Sequence, residues 1–276
     1  MKKAPFCLAA FLLFVFCACK KSNSSNNSSN SNSWLSSITS WSPGSSIVDS
    51  FTYDSSHRVA SFLQSGTDTI SGNIATGNWS AVFSLPAASS APPTTYTNTL
   101  TGTPELHQLF YDAQGRIIED SSTGTSGWII YFSYPNNNIA ITALFDGTIE
   151  DGFVDTLFPG GGNISNVHVY GPNNAGTADS LEATIKFGYS SIANPAYHSV
   201  IASSIGPLIY ILAFAGYGGN IDPISQKAFN SLSGVGDGLP SNVTVGYTLT
   251  TDSQGRLIQQ TVNFTGAAGA LIYRYY

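Results

Sequence analysis

The pattern Asp-x-x-Gly-Arg-apolar occurs at Asp112–Ile117, within "FYDAQGRII", and again at Asp252–Leu257, within "TTDSQGRLI". A third copy, in "FTYDSSHRVASF" (Phe51–Phe62), has His57 where the others have Gly115 and Gly255. A type I turn followed by one left-handed residue makes a three-residue hairpin with a bulge, and glycine adopts that conformation at least cost. Histidine is among the non-glycine residues enriched there. An aspartate opening the turn accepts bonds from turn N–H groups. The three copies therefore predict three β-hairpins, with Arg58, Arg116 and Arg256 exposed on the outgoing strands. Three Asp/Arg ligand pairs are the functional alternative for the same residues.

Strand patterns surround these turns. "VTVGYTLT" places Val243, Val245, Tyr247 and Leu249 on one face. "WIIYFSY" does the same for Trp128, Ile130, Phe132 and Tyr134, and "NIAITALF" for Ile139, Ile141, Ala143 and Phe145. Period-two apolar spacing with β-branched and aromatic residues marks half-buried strands. Clusters such as "SPGSS", "SYPNNN", "FPGGGN" and "YGPNNAGT" read as the turns between them. The fold class is mainly β, an antiparallel meander.

One stretch departs from this rhythm. Phe187 to Ile221 contains no Asp, Glu, Lys or Arg, and its centre reads "SVIASSIGPLIYILAFAG". The strongly apolar run is too short for a membrane span, which needs about 18 or more such residues. It predicts a buried helix over about 200–215, with Pro207 in the first turn, where its missing N–H is not needed. A second short helix is predicted over about 223–231, after Asp222-Pro223.

At the N-terminus, Lys2 and Lys3 precede an apolar run from Ala4 to Ala18, the order of a secretory signal. Ala18 directly before Cys19 resembles the lipobox of bacterial lipoproteins, with Phe16 departing from the usual Leu. That resemblance implies cleavage before Cys19 and lipid attachment to it, and hence a membrane partner. The other two cysteines, Cys7 and Cys17, lie in the signal, so the exported part has no disulfide and no cysteine metal site. Lys20 and Lys21 are followed by twelve residues that are only Ser or Asn, ending at Ser33. Such a stretch cannot bury apolar surface and reads as a disordered tether, with a mean reach on the order of 20 Å. The organisation is thus signal 1–18, tether 19–33 and one β-rich domain 34–276.

Charge narrows the function classes. Beyond Lys21 there are six basic residues (Arg58, Arg116, Lys186, Lys227, Arg256, Arg274) against sixteen acids, a net of −10. Without a basic cluster, nucleic acid is excluded as an expected partner. Asp146, Glu150, Asp151 and Asp155 in "FDGTIEDGFVD" match no calcium loop by spacing, and no metal or other cofactor is expected. Glycoside hydrolysis needs two facing carboxyls. Neighbours on a strand point to opposite faces, so neither Glu119-Asp120 nor Glu150-Asp151 converges alone. His57, His107, His168 and His198 show no metal-ligand spacing. No catalytic residue is assigned, and the chain reads as a non-enzyme, with a carboxylate-dependent hydrolase as the distant alternative.

Together, the Asp-x-x-Gly-Arg hairpins, the lipoprotein signal, the Ser/Asn tether and the apolar helix before the last strands resemble a group of uncharacterised Bacteroidota lipoproteins. The hairpins also look like the tyrosine-aspartate repeats of secreted β-rich proteins. The resemblance implies a curved, open-barrel-like meander sheet with a porin-like curl, and it brings no catalytic residue. Similar lipoproteins use acidic residues after the lipidated cysteine for surface export; their absence after Cys19 tilts the expected location to the periplasmic side of the outer membrane. Thr69, Thr156 and Ser180, in Asp-Thr-Ile, Asp-Thr-Leu and Asp-Ser-Leu, look like O-glycosylation acceptors of that group. The expected function is an outer-membrane-anchored lipoprotein acting as a binding or scaffold module. Aromatic residues on a concave face (Trp128, Phe132, Tyr134, Phe145, Tyr247, Phe264, Tyr273) suit an apolar molecule or a glycan if that face is open. If they pack on the 200–215 helix, they form a plain core.

Overall fold

The computed structural model describes residues 34–68, 75–86, 91–99, 102–124, 127–135, 139–145, 148–156, 163, 166–172, 179–197, 199, 205–215, 227–236, 244–264 and 267–276. The strands are β1 (Leu35–Ser42), β2 (Ser45–Tyr53), β3 (Val59–Asp68), β4 (Ala75–Phe83), β5 (Thr95–Asn98) and β6 (Glu105–Tyr111). They continue with β7 (Ile117–Ser122), β8 (Ile129–Ser133), β9 (Ile139–Phe145), β10 (Thr148–Thr156) and β11 (Asn166–Pro172). The last are β12 (Asp179–Ala193), β13 (Lys227–Gly236), β14 (Thr244–Thr251), β15 (Leu257–Phe264) and β16 (Ala267–Tyr275), with a helix α1 (Gly206–Ala215) between β12 and β13.

Each strand pairs antiparallel with its neighbours in sequence, and β1 pairs with β16, so the meander closes into a barrel. The closing register runs from Leu35 opposite Tyr275 to Trp41 opposite Ala270. The expected mainly β meander is present, and its curl goes all the way round. Closure leaves no sheet edge for a partner strand to extend.

A round barrel of about this strand number encloses an aqueous channel unless something fills it. Among the described residues the inward face is mostly apolar, and the helix packs into it. Ile205, Leu208, Ile209 and Leu212 are buried with Ile38, Phe51, Phe62, Ile117, Ile130 and Phe132 in one cluster, and α1 lies against β7. Helix α1 begins at Gly206 rather than 200, with Pro207 in its first turn as the sequence predicts. Among the described residues no helix is long and apolar enough to cross a membrane.

The helix expected over 223–231 is corrected where it is described, over 227–231, and residues 223–226 lie outside the described residues. Lys227–Gly236 is strand β13, bonded on one side to β12 and on the other to β14. Ala228 and Phe229 are both buried while Asn230 is exposed, and a register irregularity on β12 beside Tyr189 accommodates the adjacent apolar pair. Pairing with β12 from Lys227 onward, joined by β14 from Ser231, outweighs the weak helical preference of so short a segment.

Candidate functional site

The three Asp-Arg hairpins are copies of one structure. In each, the aspartate N–H donates to the arginine carbonyl at 2.9 Å, and the His57, Gly115 or Gly255 N–H donates to the aspartate carbonyl. The Oδ1 of Asp54, Asp112 and Asp252 accepts from the backbone N–H two residues on (2.9 Å each) and from the arginine N–H (2.8–2.9 Å). Each Oδ2 accepts from the arginine Nε at 2.6–2.7 Å. For Asp54, the bond from the Arg58 backbone leads the causes that hold its carboxyl below the usual range. For Asp112 and Asp252 desolvation acts upward, but the arginine and turn bonds outweigh it.

The left-handed residue has φ of 60° at His57, 75° at Gly115 and 78° at Gly255, as the turn predicts. His57 stacks on Trp34 with ring centroids 4.7 Å apart. A Cβ at Gly115 would meet no atom within 4 Å, so its cost there is conformational only. Gly115→Ala is expected to destabilise the protein by about 1–2 kcal/mol, and Gly115→Asn by less, in urea unfolding.

The aspartates and arginines are thus bonded to one another within each turn, which supports the turn reading over the ligand reading. Contrary to expectation, only Arg116 is well exposed. Its guanidinium lies 4.1 Å from the Tyr134 ring centroid, and Arg256 lies 4.7 Å from that of Tyr275. Both tyrosine hydroxyls donate to the carbonyl of the residue after the arginine, Ile117 or Leu257. Burial pushes the Tyr134 phenol up to about 12. Arg58 instead donates to the Pro86 carbonyl at 2.8 Å.

Each hairpin also carries a one-residue bulge, at Ala60, Ile118 and Ile258. An extra residue reverses which side chains beyond it point inward. Asp49, His107 and Tyr247 therefore hold the same place in the three hairpins, and so do Phe62, Asp120 and Gln260. These places face the barrel interior, and each of the three hairpins puts at least one polar side chain there.

The first cluster is Tyr96, His107 and Asp120, none more than 1% exposed. The Tyr96 hydroxyl donates to Asp120 Oδ2 at 2.7 Å, and His107 Nδ1 lies 2.9 Å from Asp120 Oδ1. A carboxylate only accepts, which selects the tautomer with its hydrogen on Nδ1. His107 Nε2 has no hydrogen-bond partner among the described residues and faces Glu105 Oε2 at 3.9 Å. Burial, then the Asp120 and Glu105 charges, hold the Tyr96 phenol well above its ordinary range, so it stays a donor. In the second cluster Gln64 Nε2 donates to Asp49 Oδ1 (2.8 Å) and Trp79 Nε1 donates to Gln64 Oε1 (2.9 Å). Asp49 is fully buried, its Oδ2 has no hydrogen-bond partner among the described residues, and burial pushes its carboxyl up to about 7 against the lowering effect of Gln64. A third contact joins the Tyr273 hydroxyl to Gln260, which donates to the Phe229 carbonyl at 2.9 Å.

Sequence reading treated His107 as solitary and missed its partners. The signal was the hairpin itself: once the bulge sets the register, Asp120 comes opposite Leu109, on the face that His107 shares. Glu119 and Asp120 do point to opposite faces, Asp120 buried and Glu119 half-exposed on the outside. His168 Nδ1 contacts the Thr184 hydroxyl at 3.0 Å, far from His107 in the strand order. Among the described residues no group of three or more side chains is arranged to hold a metal.

Of the predicted modification sites, Thr156 ends β10 opposite Asn166, and Ser180 lies in β12 opposite Gly171. Cys19, Thr69, Asp146 and His198 lie outside the described residues. Phe132 and Tyr273 are buried in the core with α1, and Trp128, Tyr134 and Tyr247 pack against it. These rings form the core rather than an open concave wall.

No protein-family model matches the chain, and no curated protein does. Among solved structures, the fold is similar to a porin-like protein from Bacteroides uniformis at a TM-score of 0.52 and 14% identity, covering 88% of this chain and 96% of that one. A porin-like protein from Bacteroides vulgatus matches at a TM-score of 0.47 and 10% identity, over 89% of this chain and 99% of the other. At such identities the first likeness shows the fold.

Proposed function

We propose that the chain is a cell-envelope lipoprotein, tethered to the outer membrane through lipid on Cys19, whose barrel is a non-enzymatic binding or scaffold module acting through its outer surface. The observation that carries this is the orientation of the sheet. A membrane-spanning barrel turns an apolar band outward and keeps a polar interior. Among the described residues this barrel departs from that pattern: it encloses mostly apolar side chains and α1, and its outward positions mix Leu63, Val82, Leu106, Phe110 and Tyr131 with Thr39, Ser50, Thr52, Ser61, Ser65, Thr67, Ser80, Thr97, Gln108 and Ser121, leaving no continuous apolar band there. A lipid on Cys19 gives such a water-facing barrel its membrane attachment, and residues 19–33 give it reach. The porin-like likeness is in keeping with an envelope location. The filled interior favours a scaffold over an internal carrier. The buried His107–Asp120 pair reads as a structural element, since a substrate would have to displace the core to touch it. The periplasmic side and glycosylation at Thr69, Thr156 or Ser180 belong to the same reading.

Intact-mass measurement of protein isolated from its native envelope tests the anchor. The expected mass is that of a chain starting at Cys19 plus acyl groups, with hexose-containing increments if the acceptors are used. A chain starting elsewhere, or an unmodified Cys19, overturns it.

A further inference from the structure

Among the described residues, six of the nine large apolar side chains exposed by more than a third of their area, Leu63, Val82, Leu106, Phe110, Ile118 and Tyr131, lie on the β3–β8 side of the barrel. Polar outward neighbours separate several of them: Leu63 stands between Ser50 and Ser80, and Val82 between Ser61 and Thr97. A protein or lipid partner is served best by a contiguous apolar patch. A sugar has different needs, because a pyranose ring offers a C–H face for stacking and hydroxyls round its edge.

One row meets those needs. Phe110 on β6 is opposite Glu119 on β7, and Glu119 is opposite Tyr131 on β8. Phe110 and Tyr131 are 43% and 41% exposed. Two strand spacings put the two rings about 10 Å apart on a rigid face, with a carboxylate between them. The Ser121 hydroxyl donates to Glu119 Oε1 at 2.6 Å and orients the acid. Gln108, exposed and next to Phe110 along the same face, adds an amide.

We infer that the Phe110–Glu119–Tyr131 row on the outside of the barrel is a binding platform for an uncharged oligosaccharide. Two sugar rings of one chain stack on Phe110 and Tyr131, and Glu119 accepts hydroxyl hydrogen bonds from the sugar between them. The charge supports a neutral ligand: the one acidic side chain in the Phe110–Glu119–Tyr131 row has no basic one beside it in the row, and the chain beyond Lys21 carries a formal net of −10, a sign that disfavours acidic polysaccharides. This rests on the reading that the filled barrel works through its outer face, and it moves the glycan expected on the concave face to the convex one.

The test titrates the full-length protein in detergent micelles with glucose and N-acetylglucosamine oligomers, and with oligogalacturonate as the acidic control. Saturable binding of a neutral oligomer is expected, with Phe110→Ala and Tyr131→Ala each weakening it at least tenfold and Glu119→Gln weakening it less. All three variants should melt close to the wild type, because Phe110 and Tyr131 are exposed and glutamine at 119 keeps the oxygen that accepts from Ser121. Absence of neutral-oligomer binding, equal binding by the alanine variants, or preference for the acidic control overturns the inference. So does a concentration-dependent dimer that the same variants abolish, which would give the face to a second copy. Failure here leaves the Cys19 anchor standing, since the mass that reads it does not depend on Phe110 or Tyr131.

Discussion

At pH 8, Asp49→Asn is expected to unfold at higher urea concentration than the wild type. Asp49 is fully buried on β2, and burial pushes its carboxyl from 3.8 to about 7. Between those values the folded chain holds a proton that the unfolded chain has lost, so stability falls as pH rises through the window. Above it the whole penalty is present, at most about 4 kcal/mol for a shift of that size. Asparagine keeps the oxygen that accepts from Gln64 and removes the charge. Its new amide hydrogens meet the place where Oδ2 has no partner, at a cost of about 1–3 kcal/mol, so the net gain at pH 8 is about 1–3 kcal/mol. Near pH 4 the gain should vanish or reverse. Parallel stability curves for the two proteins from pH 4 to 8 would show that Asp49 is hydrated.

Asp120→Ala should produce the opposite and larger effect, a loss of about 3–5 kcal/mol, because it leaves buried donors without their acceptor. Tyr96 and His107 Nδ1 both lie within hydrogen-bonding distance of Asp120, and neither side chain reaches water. Tyr96→Phe removes one donor and should cost only about 1–2 kcal/mol. In a double-mutant cycle the two substitutions should be strongly non-additive, since Tyr96→Phe removes a group that Asp120→Ala would strand. Additive losses would mean that water enters the cluster and satisfies the groups separately.

Much of this architecture was legible locally. The hairpin spacing set the turns, including the positive φ at His57, because that conformation is specified by a handful of adjacent residues. Alternation placed Ile130, Phe132, Ile139, Ile141 and Val245 inward, where they are buried. The failures were of two kinds. Closure joins Leu35 to Tyr275, and no local pattern announces which strands become neighbours across the whole chain. Ala228–Phe229 look helical until Phe229 is placed opposite Tyr189 of β12 and bonded by the Gln260 side chain. The buried His107–Asp120 pair falls between these cases: the hairpin register carries it, but only once the bulge at Ile118 is counted. The aromatic platform was missed because Phe110 and Tyr131 each look ordinary on their own strands and meet only across Glu119.

The central claim is that the barrel faces water on its outside and depends on Cys19 for its place at the membrane. Cell fractionation of Cys19→Ala, followed by gel electrophoresis with and without boiling, tests it most directly. Wild-type protein is expected to sediment with outer membranes, and the variant to appear in the soluble envelope fraction, folded and monomeric without detergent. A Cys19→Ala protein that stays in the membrane pellet after carbonate washing, and that needs detergent to remain folded, would show that the strands themselves sit in lipid.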